Sequence, residues 1–208
     1  MKPKHILWCA VAVLALVSCK EEDNTQEEYP NWQATNNTYF NSLVADARAK
    51  ISAGDAAWLL LPSYSLPTEK LGETAVELAY SDYVVVEKIA SAPDYETLSP
   101  FTSDTVEVHY VGKLLPSTSY KAGYVFDKSY PGDVFDPVTA KPYKVAVNKL
   151  VNGFATAVVN MHRGDRWKVY IPYQLGYGSS LSSVPAYSTL IFDVRLEDFW
   201  SKKRDDRL

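Results

Sequence analysis

Beyond residue 19 this chain of 208 residues has no cysteine; its two, Cys9 and Cys19, both stand near the start. That excludes a disulfide framework and a thiolate metal site from everything downstream. Histidine is nearly as scarce, at three. His109 and His162 share no helical or hairpin metal-ligand spacing with acids or cysteines, which argues against zinc or any other metal. Positive charge is not in excess: 21 Lys and Arg against 25 Asp and Glu leave a formal net charge of −4. Nucleic-acid binding, which calls for a basic patch, is therefore not expected. No serine stands in a nucleophile elbow, and no Gly-rich loop is spaced to cradle phosphate. No internal repeat is visible. The one long apolar run, Ile6 to Val17, falls short of the roughly 20 residues that a membrane-spanning helix needs.

That run suits export. Lys2 and Lys4 give it a positive start, and its length is that of a signal-peptide core. It ends Leu16-Val17-Ser18-Cys19, which resembles a bacterial lipobox. The resemblance implies that residues 1–18 are a signal peptide and that lipidation falls on Cys19. Loss of Lys2 and Lys4, with no acid, would take the net charge from −4 to −6. Lys20-Glu21-Glu22-Asp23 then resembles the surface-export signal of Bacteroidetes lipoproteins, or is simply a solvated spacer. The expected location is extracytoplasmic and lipid-anchored at the outer membrane, with either leaflet open.

Hydrophobic content of 47% and 15 tyrosines supply a well-filled core, and the length allows one ordinary domain with a smaller appendage. Residues 19–30 read as an acidic tether. Within residues 31–80 the clear element is a helix: Phe40, Leu43, Val44, Ala47 and Ile51 share a stripe. Asn36, Asn37 or Thr38 can cap its start and Gly54 its end. Such a stripe must be buried against the following domain or against a second chain. Residues 55–80 give no assignable pattern.

From residue 81 the chain turns β-rich, with a strand expected at Tyr83–Ile89. Val106, Val108 and Tyr110 alternate with Glu107, His109 and Val111, which puts His109 on an exposed face. Trp167, Val169 and Ile171 alternate with Arg166, Lys168 and Tyr170. Leu190, Phe192, Val194 and Leu196 alternate with Ile191, Asp193, Arg195 and Glu197. Val151, Phe154, Ala155 and Val158 share one face of a single short helix, with His162 near its end and Gly164 beyond. Antiparallel strands with one apolar helix on the concave side make an α+β layer architecture over residues 81–200. Residues 201–208, with Lys202, Lys203 and Arg204, read as a solvated tail.

Five motifs stand in order along that β-rich part. They are Val108-His109-Tyr110-Val111-Gly112, Val125-Phe126-Asp127-Lys128-Ser129 and Leu150-Val151-Asn152-Gly153-Phe154. Ile171-Pro172 with Leu175-Gly176-Tyr177-Gly178 follows, then Val184-Pro185 with Thr189-Leu190-Ile191-Phe192-Asp193-Val194. Together they resemble the FKBP-type peptidyl-prolyl isomerase family. The resemblance implies an FKBP-like antiparallel sheet wrapped around one short helix, here preceded by a small helical segment, and cis–trans isomerase activity on X–Pro bonds without any cofactor. Tyr110, Phe126, Asp127, Tyr177 and Phe192 match the family's catalytic positions. Tyr177 is the tyrosine whose hydroxyl meets a ligand carbonyl, and Asp127 the acid that pairs with Tyr110. Tyr143, Leu150, Val151, Phe154 and Val184 match the substrate-binding walls. Phe154 stands where many members have tryptophan, and Val145 replaces an aromatic. The Tyr110–Phe126 and Phe126–Val145 spacings exceed those of compact members, and Tyr120, Tyr124, Tyr130 and Phe135 within them are expected to rim the pocket.

The chemistry suits that inventory. Rotation about an X–Pro amide must break partial double-bond character, a barrier of roughly 18–20 kcal/mol. The twisted transition state is less charge-separated than the planar amide, so a dry apolar pocket favours it. Each ~1.4 kcal/mol of difference is worth about tenfold in rate. Aromatic walls and one or two hydrogen bonds suffice, with no nucleophile. The expected partners are proline-containing clients among exported proteins, the membrane through the lipid, and a second copy if the N-terminal helix forms a homodimer. A non-catalytic module holding proline segments and a dimeric chaperone are the alternatives on the same fold. Val145, Phe154 and the long loops favour the former.

Overall fold

A computed structural model describes residues 26–67, 78–180 and 183–201. The expected signal peptide, Cys19, the acidic cluster after it and the basic tail from residue 202 lie outside the described residues.

Seven strands form one antiparallel sheet: β1 (Trp58–Pro62), β2 (Tyr83–Ala90), β3 (Thr105–Lys113), β4 (Val125–Lys128), β5 (Tyr143–Ala146), β6 (Arg166–Ile171) and β7 (Leu190–Trp200). Their order is β1-β2-β6-β7-β3-β4, and β5 shares the β4 edge of β3. The short helix α2 (Asn152–Val158) lies on the concave face, where Val106, Val108, Trp167, Val169 and Val194 meet Phe154, Ala155 and Val158. Gly153 lets it come close, because a Cβ there would overlap Ile171. The alternation along β7 holds: Leu190, Phe192, Val194 and Leu196 are buried, and Ile191, Asp193 and Arg195 are not fully so. The expected α+β architecture, a sheet around one short helix with a helix in front, is the one observed.

The front helix, α1 (Trp32–Ser52), packs on the outer face. Phe40, Val44 and Ala47 join Val85 and Tyr170 in a second cluster, so the stripe is buried against the chain's own sheet. Burying side chains such as Phe40 and Val44 contributes about 1.5–3 kcal/mol each. The helix begins earlier than expected, after Asn31 in the left-handed region at φ 50°. Asn36 is therefore no cap but an interior residue, 1% exposed, and Ile51 falls outside the stripe, 39% exposed. β1 fills part of the stretch that gave no pattern: Leu59 and Leu61 face the main core, Trp58 and Leu60 face α1. Covered on both sides, it and Val84-Val85-Val86 of β2 read as continuous apolar runs without alternation.

Two residues expected on exposed faces are buried. Tyr170 lies beneath α1, and burial pushes its hydroxyl up to about 12. His109 is covered by the long segment between β4 and β5, with ring centroids 4.8 Å from Phe135 and 6.4 Å from Tyr130. Burial depresses its pKa and favours the neutral imidazole. Tyr130 and Phe135 thus sit on the outer face, and Tyr120 and Tyr124 pack on each other. Tyr130 and Phe135 do not rim the pocket as expected, because β3 residues alternate faces and His109, not Tyr110, is what their rings cover.

Candidate active site

Even-numbered residues of β3, and of β7 from Leu190 to Leu196, point to the concave face, which brings Tyr110 and Phe192 together at 5.9 Å between ring centroids. Phe154, from the first turn of α2, closes the triangle at 5.8 Å from Tyr110 and 4.9 Å from Phe192. Phe126 of β4 meets Phe192 at 5.4 Å and Tyr177 at 6.2 Å, and Tyr143 of β5 meets Tyr110 at 5.9 Å. All six pairs are edge-to-face, the arrangement that sets a positive ring edge on a negative face, worth about 0.5–1.5 kcal/mol per pair beyond burial. Phe154 and Phe192 are buried, Phe126 and Tyr110 half-buried, and Tyr177 and Tyr143 exposed, so the cluster deepens from rim to floor.

Gly112 makes this packing feasible. It pairs with Phe192 on one side and Asp127 on the other, and a Cβ there would lie 2.7 Å from both Phe126 Cζ and Phe192 Cε1. Ser129 fixes the neighbouring register: the Tyr110 N–H donates to its Oγ at 2.9 Å, and its own N–H donates to the Tyr110 carbonyl at 3.0 Å.

One carboxylate enters the ring of aromatics. The Tyr110 hydroxyl donates to Asp127 Oδ2 at 2.8 Å. Burial first, then this hydrogen bond and the nearby charge, pushes the Tyr110 hydroxyl far above its ordinary range. Burial and Asp127 also raise Tyr177. Both hydroxyls therefore stay protonated through neutral pH and act as donors, not bases. Tyr177 sits on a tight turn in which the Gly178 N–H donates to the Tyr173 carbonyl at 2.8 Å and the Tyr187 N–H donates to the Gly178 carbonyl at 3.0 Å.

The same loop is held from behind by α1. The Thr189 N–H donates to Asn36 Oδ1 at 2.7 Å, while Asn36 Nδ2 donates to the Trp32 carbonyl at 2.8 Å. Trp32 Nε1 donates to Ser188 Oγ at 2.8 Å, and that hydroxyl donates to the Pro185 carbonyl at 2.7 Å. Val184, 2% exposed, lies in the main core just before this latch. Leu150 and Val151 pack on the same core at the start of α2, where the Val151 carbonyl accepts the Ala155 N–H at 3.0 Å.

Seven of the expected residues thus form one connected network: Tyr110, Phe126, Asp127, Tyr143, Phe154, Tyr177 and Phe192. Leu150, Val151 and Val184 stand on the core without a ring contact to it. Val145 is half-buried opposite Val106. Gly112 and Ser129 lay inside recognised motifs, but their roles depend on backbone approach; a glycine within a strand is the one hint. Nothing local marks Trp32, Asn36 or Ser188 as supports of a loop over 150 residues away. Among the described residues no cluster of His, Cys, Asp or Glu can hold a metal ion, and no helix is long and apolar enough to cross a membrane.

Residues 97–197 match the family model for FKBP-type peptidyl-prolyl cis-trans isomerase. The macrophage infectivity potentiator of Trypanosoma cruzi is 38% identical over 100 residues, which are 47% of this chain and 44% of that protein. The FKBP-type 22 kDa peptidyl-prolyl cis-trans isomerase of Escherichia coli (strain K12) is 35% identical over 99 residues, 47% of this chain and 42% of the other. FK506-binding protein 2 of Kluyveromyces lactis is 35% identical over 107 residues, 50% of this chain and 69% of the other. The match thus spans less than half the length of the first two relatives and more than two thirds of the third.

Proposed function

The chain belongs to the FKBP-type peptidyl-prolyl cis-trans isomerase family, and from that premise we propose that it catalyses rotation about X–Pro bonds in exported proteins while anchored by lipid on Cys19. The observation that carries the isomerase reading is the edge-to-face cluster built around the Tyr110–Asp127 hydrogen bond. A proline ring laid on Phe154 and Phe192 exchanges water for ring faces, and the amide loses part of the hydration that stabilises its planar, charge-separated form. The Tyr177 hydroxyl is placed to donate to a carbonyl at the rim, and Asp127, held by Tyr110, presents an oriented dipole. Catalysis proceeds by rotation within that environment, with no proton transferred.

The apolar run ending in Leu16-Val17-Ser18-Cys19 supports the anchor and an outer-membrane location. A Cys19→Ser chain should escape lipoprotein processing and leave the membrane; its recovery in carbonate-washed membranes would refute the anchor. A homodimer through α1 would have to form on that helix's outer side, because Phe40, Val44 and Ala47 are taken by the sheet; sedimentation tests it. The isomerase reading is tested by a protease-coupled assay on X–Pro peptides with the chain from residue 24 onward. Acceleration of the cis-to-trans step supports it. Binding of proline peptides without acceleration would make the chain a non-catalytic proline-binding module.

A further inference from the structure

On the sheet face opposite the aromatic cluster lies a cavity of about 810 Å³, within the range of ligand pockets. Its floor is Val111 of β3 and Ile191 of β7, the residues that alternate with Gly112 and Phe192. The long segments after β3 and β4 supply apolar walls, among them Val134, 81% exposed with no burial of its own to explain it. Five cations border the space, Lys113, Lys128, Arg166, Lys168 and Arg195, against two carboxylates, Asp133 and Asp193. Asp193 is held by Arg166 through bonds of 2.9 and 2.7 Å, and Asp133 lies 3.7 Å from Lys128. Lys113, Lys168 and Arg195 make no ion pair among the described residues; Arg195 lies over the Phe135 ring and Lys168 over Tyr170.

A chain of net charge −4 therefore concentrates unspent positive charge in one apolar-floored groove. The three cations stand on β3, β7 and β6, neighbours in the sheet, which at about 4.8 Å per strand spreads them over roughly 10 Å across the strands. The register that sets Lys113 opposite Ile191 separates it from Arg195 by about 13 Å along them. One small anion cannot satisfy all three. A polypeptide with acids a few residues apart and apolar side chains between them can, laying its apolar groups on Val111 and Ile191. We propose that this outer groove is a docking site for acidic, extended polypeptide segments, separate from the aromatic pocket and independent of the isomerase reading. The long segments that the aromatic pocket does not use are then the walls of this second site.

The test uses the detergent-solubilised full chain and a fluorescein-labelled, proline-free peptide of alternating Glu and Leu, with a Gln/Leu peptide as control. The Glu peptide should bind at least tenfold more tightly than the Gln peptide, and raising salt from 50 to 500 mM should remove most of that difference. Lys113→Glu with Lys168→Glu should weaken Glu-peptide binding at least tenfold, and the double Gln variant should fall between. X–Pro turnover on a short uncharged peptide should be unchanged in both, so failure here and failure of the isomerase reading remain separate results. Equal binding of the two peptides, or undiminished binding to the Glu variant, would overturn the proposal. So would displacement of the peptide by millimolar inorganic phosphate or free glutamate, which would make the groove a small-anion site.

Discussion

Along β7, Phe192 and Asp193 are consecutive residues with opposite surroundings. Phe192 packs against three aromatic rings on the concave face, whereas Asp193 is forked by Arg166 on the outer one. The same contrast runs along β3, where Tyr110 and Gly112 serve the aromatic cluster and His109, Val111 and Lys113 serve the outer face. The two faces show that the sheet's two-residue period can hold an aromatic cluster one peptide away from a charged surface. The Arg166–Asp193 pair is kept on the far side of the backbone, and Asp127 is the carboxylate that bonds to the aromatic cluster.

That contrast can be broken most severely at Gly112. A methyl there intrudes on both Phe126 and Phe192, so Gly112→Ala should destabilise by about 1–3 kcal/mol and lower kcat/KM further than that loss explains. Urea titration with activity measured on the folded fraction separates the two effects. Next comes the latch behind the Tyr177 loop. Asn36→Ala leaves the buried Thr189 N–H without an acceptor, at a cost of about 1–3 kcal/mol. It should also raise hydrogen exchange at residues 183–189 and reduce turnover, although it touches no substrate.

On the outer face the effects are smaller. His109 is depressed by burial and by Arg195, with Glu197 and Glu107 pulling the other way. The unfolded histidine, near its ordinary value of about 6.5, takes up a proton before the folded one does. Stability from this residue is thus present above that pH and is lost as pH falls below it. His109→Phe should lessen the decline in thermal stability between pH 7 and 5 and leave isomerase activity unaltered. An unchanged slope would contradict it. The smallest effect belongs to the half-exposed Arg166–Asp193 pair, for which a double-mutant cycle should return about 0–1 kcal/mol of coupling and no change in turnover.

The concave face was legible in the sequence because its residues carry their own signal: alternation along β3, β6 and β7, and aromatics at motif positions. The outer face was not, because what covers it comes from elsewhere. His109 and Tyr170 stand where an exposed residue should, and only the segment bearing Phe135 and the packing of α1 bury them. Asn36 looks like a helix cap by type and place, yet its partner is 153 residues away. β1 lacked alternation since both of its faces are covered, and five residues are too few to tell a strand from a buried helical turn. The long segments showed their length but not their direction, which the bulge between Gly112 and Lys113 and the β4 pairing decide.

The claim that catalysis rests on a dry aromatic wall and not on proton transfer is tested most directly by kcat/KM for Phe126→Ala beside Tyr177→Phe, measured from pH 6 to 8. Phe126→Ala opens the cluster to water and should lose on the order of a hundredfold. Tyr177→Phe deletes one hydrogen bond of roughly 0.5–1.5 kcal/mol and should lose about tenfold at most. Both variants and the wild type should be flat across that pH range, since both pocket hydroxyls stay protonated and His109 lies on the other face. A larger loss for Tyr177→Phe than for Phe126→Ala, or a bell-shaped profile in the wild type, would contradict the account.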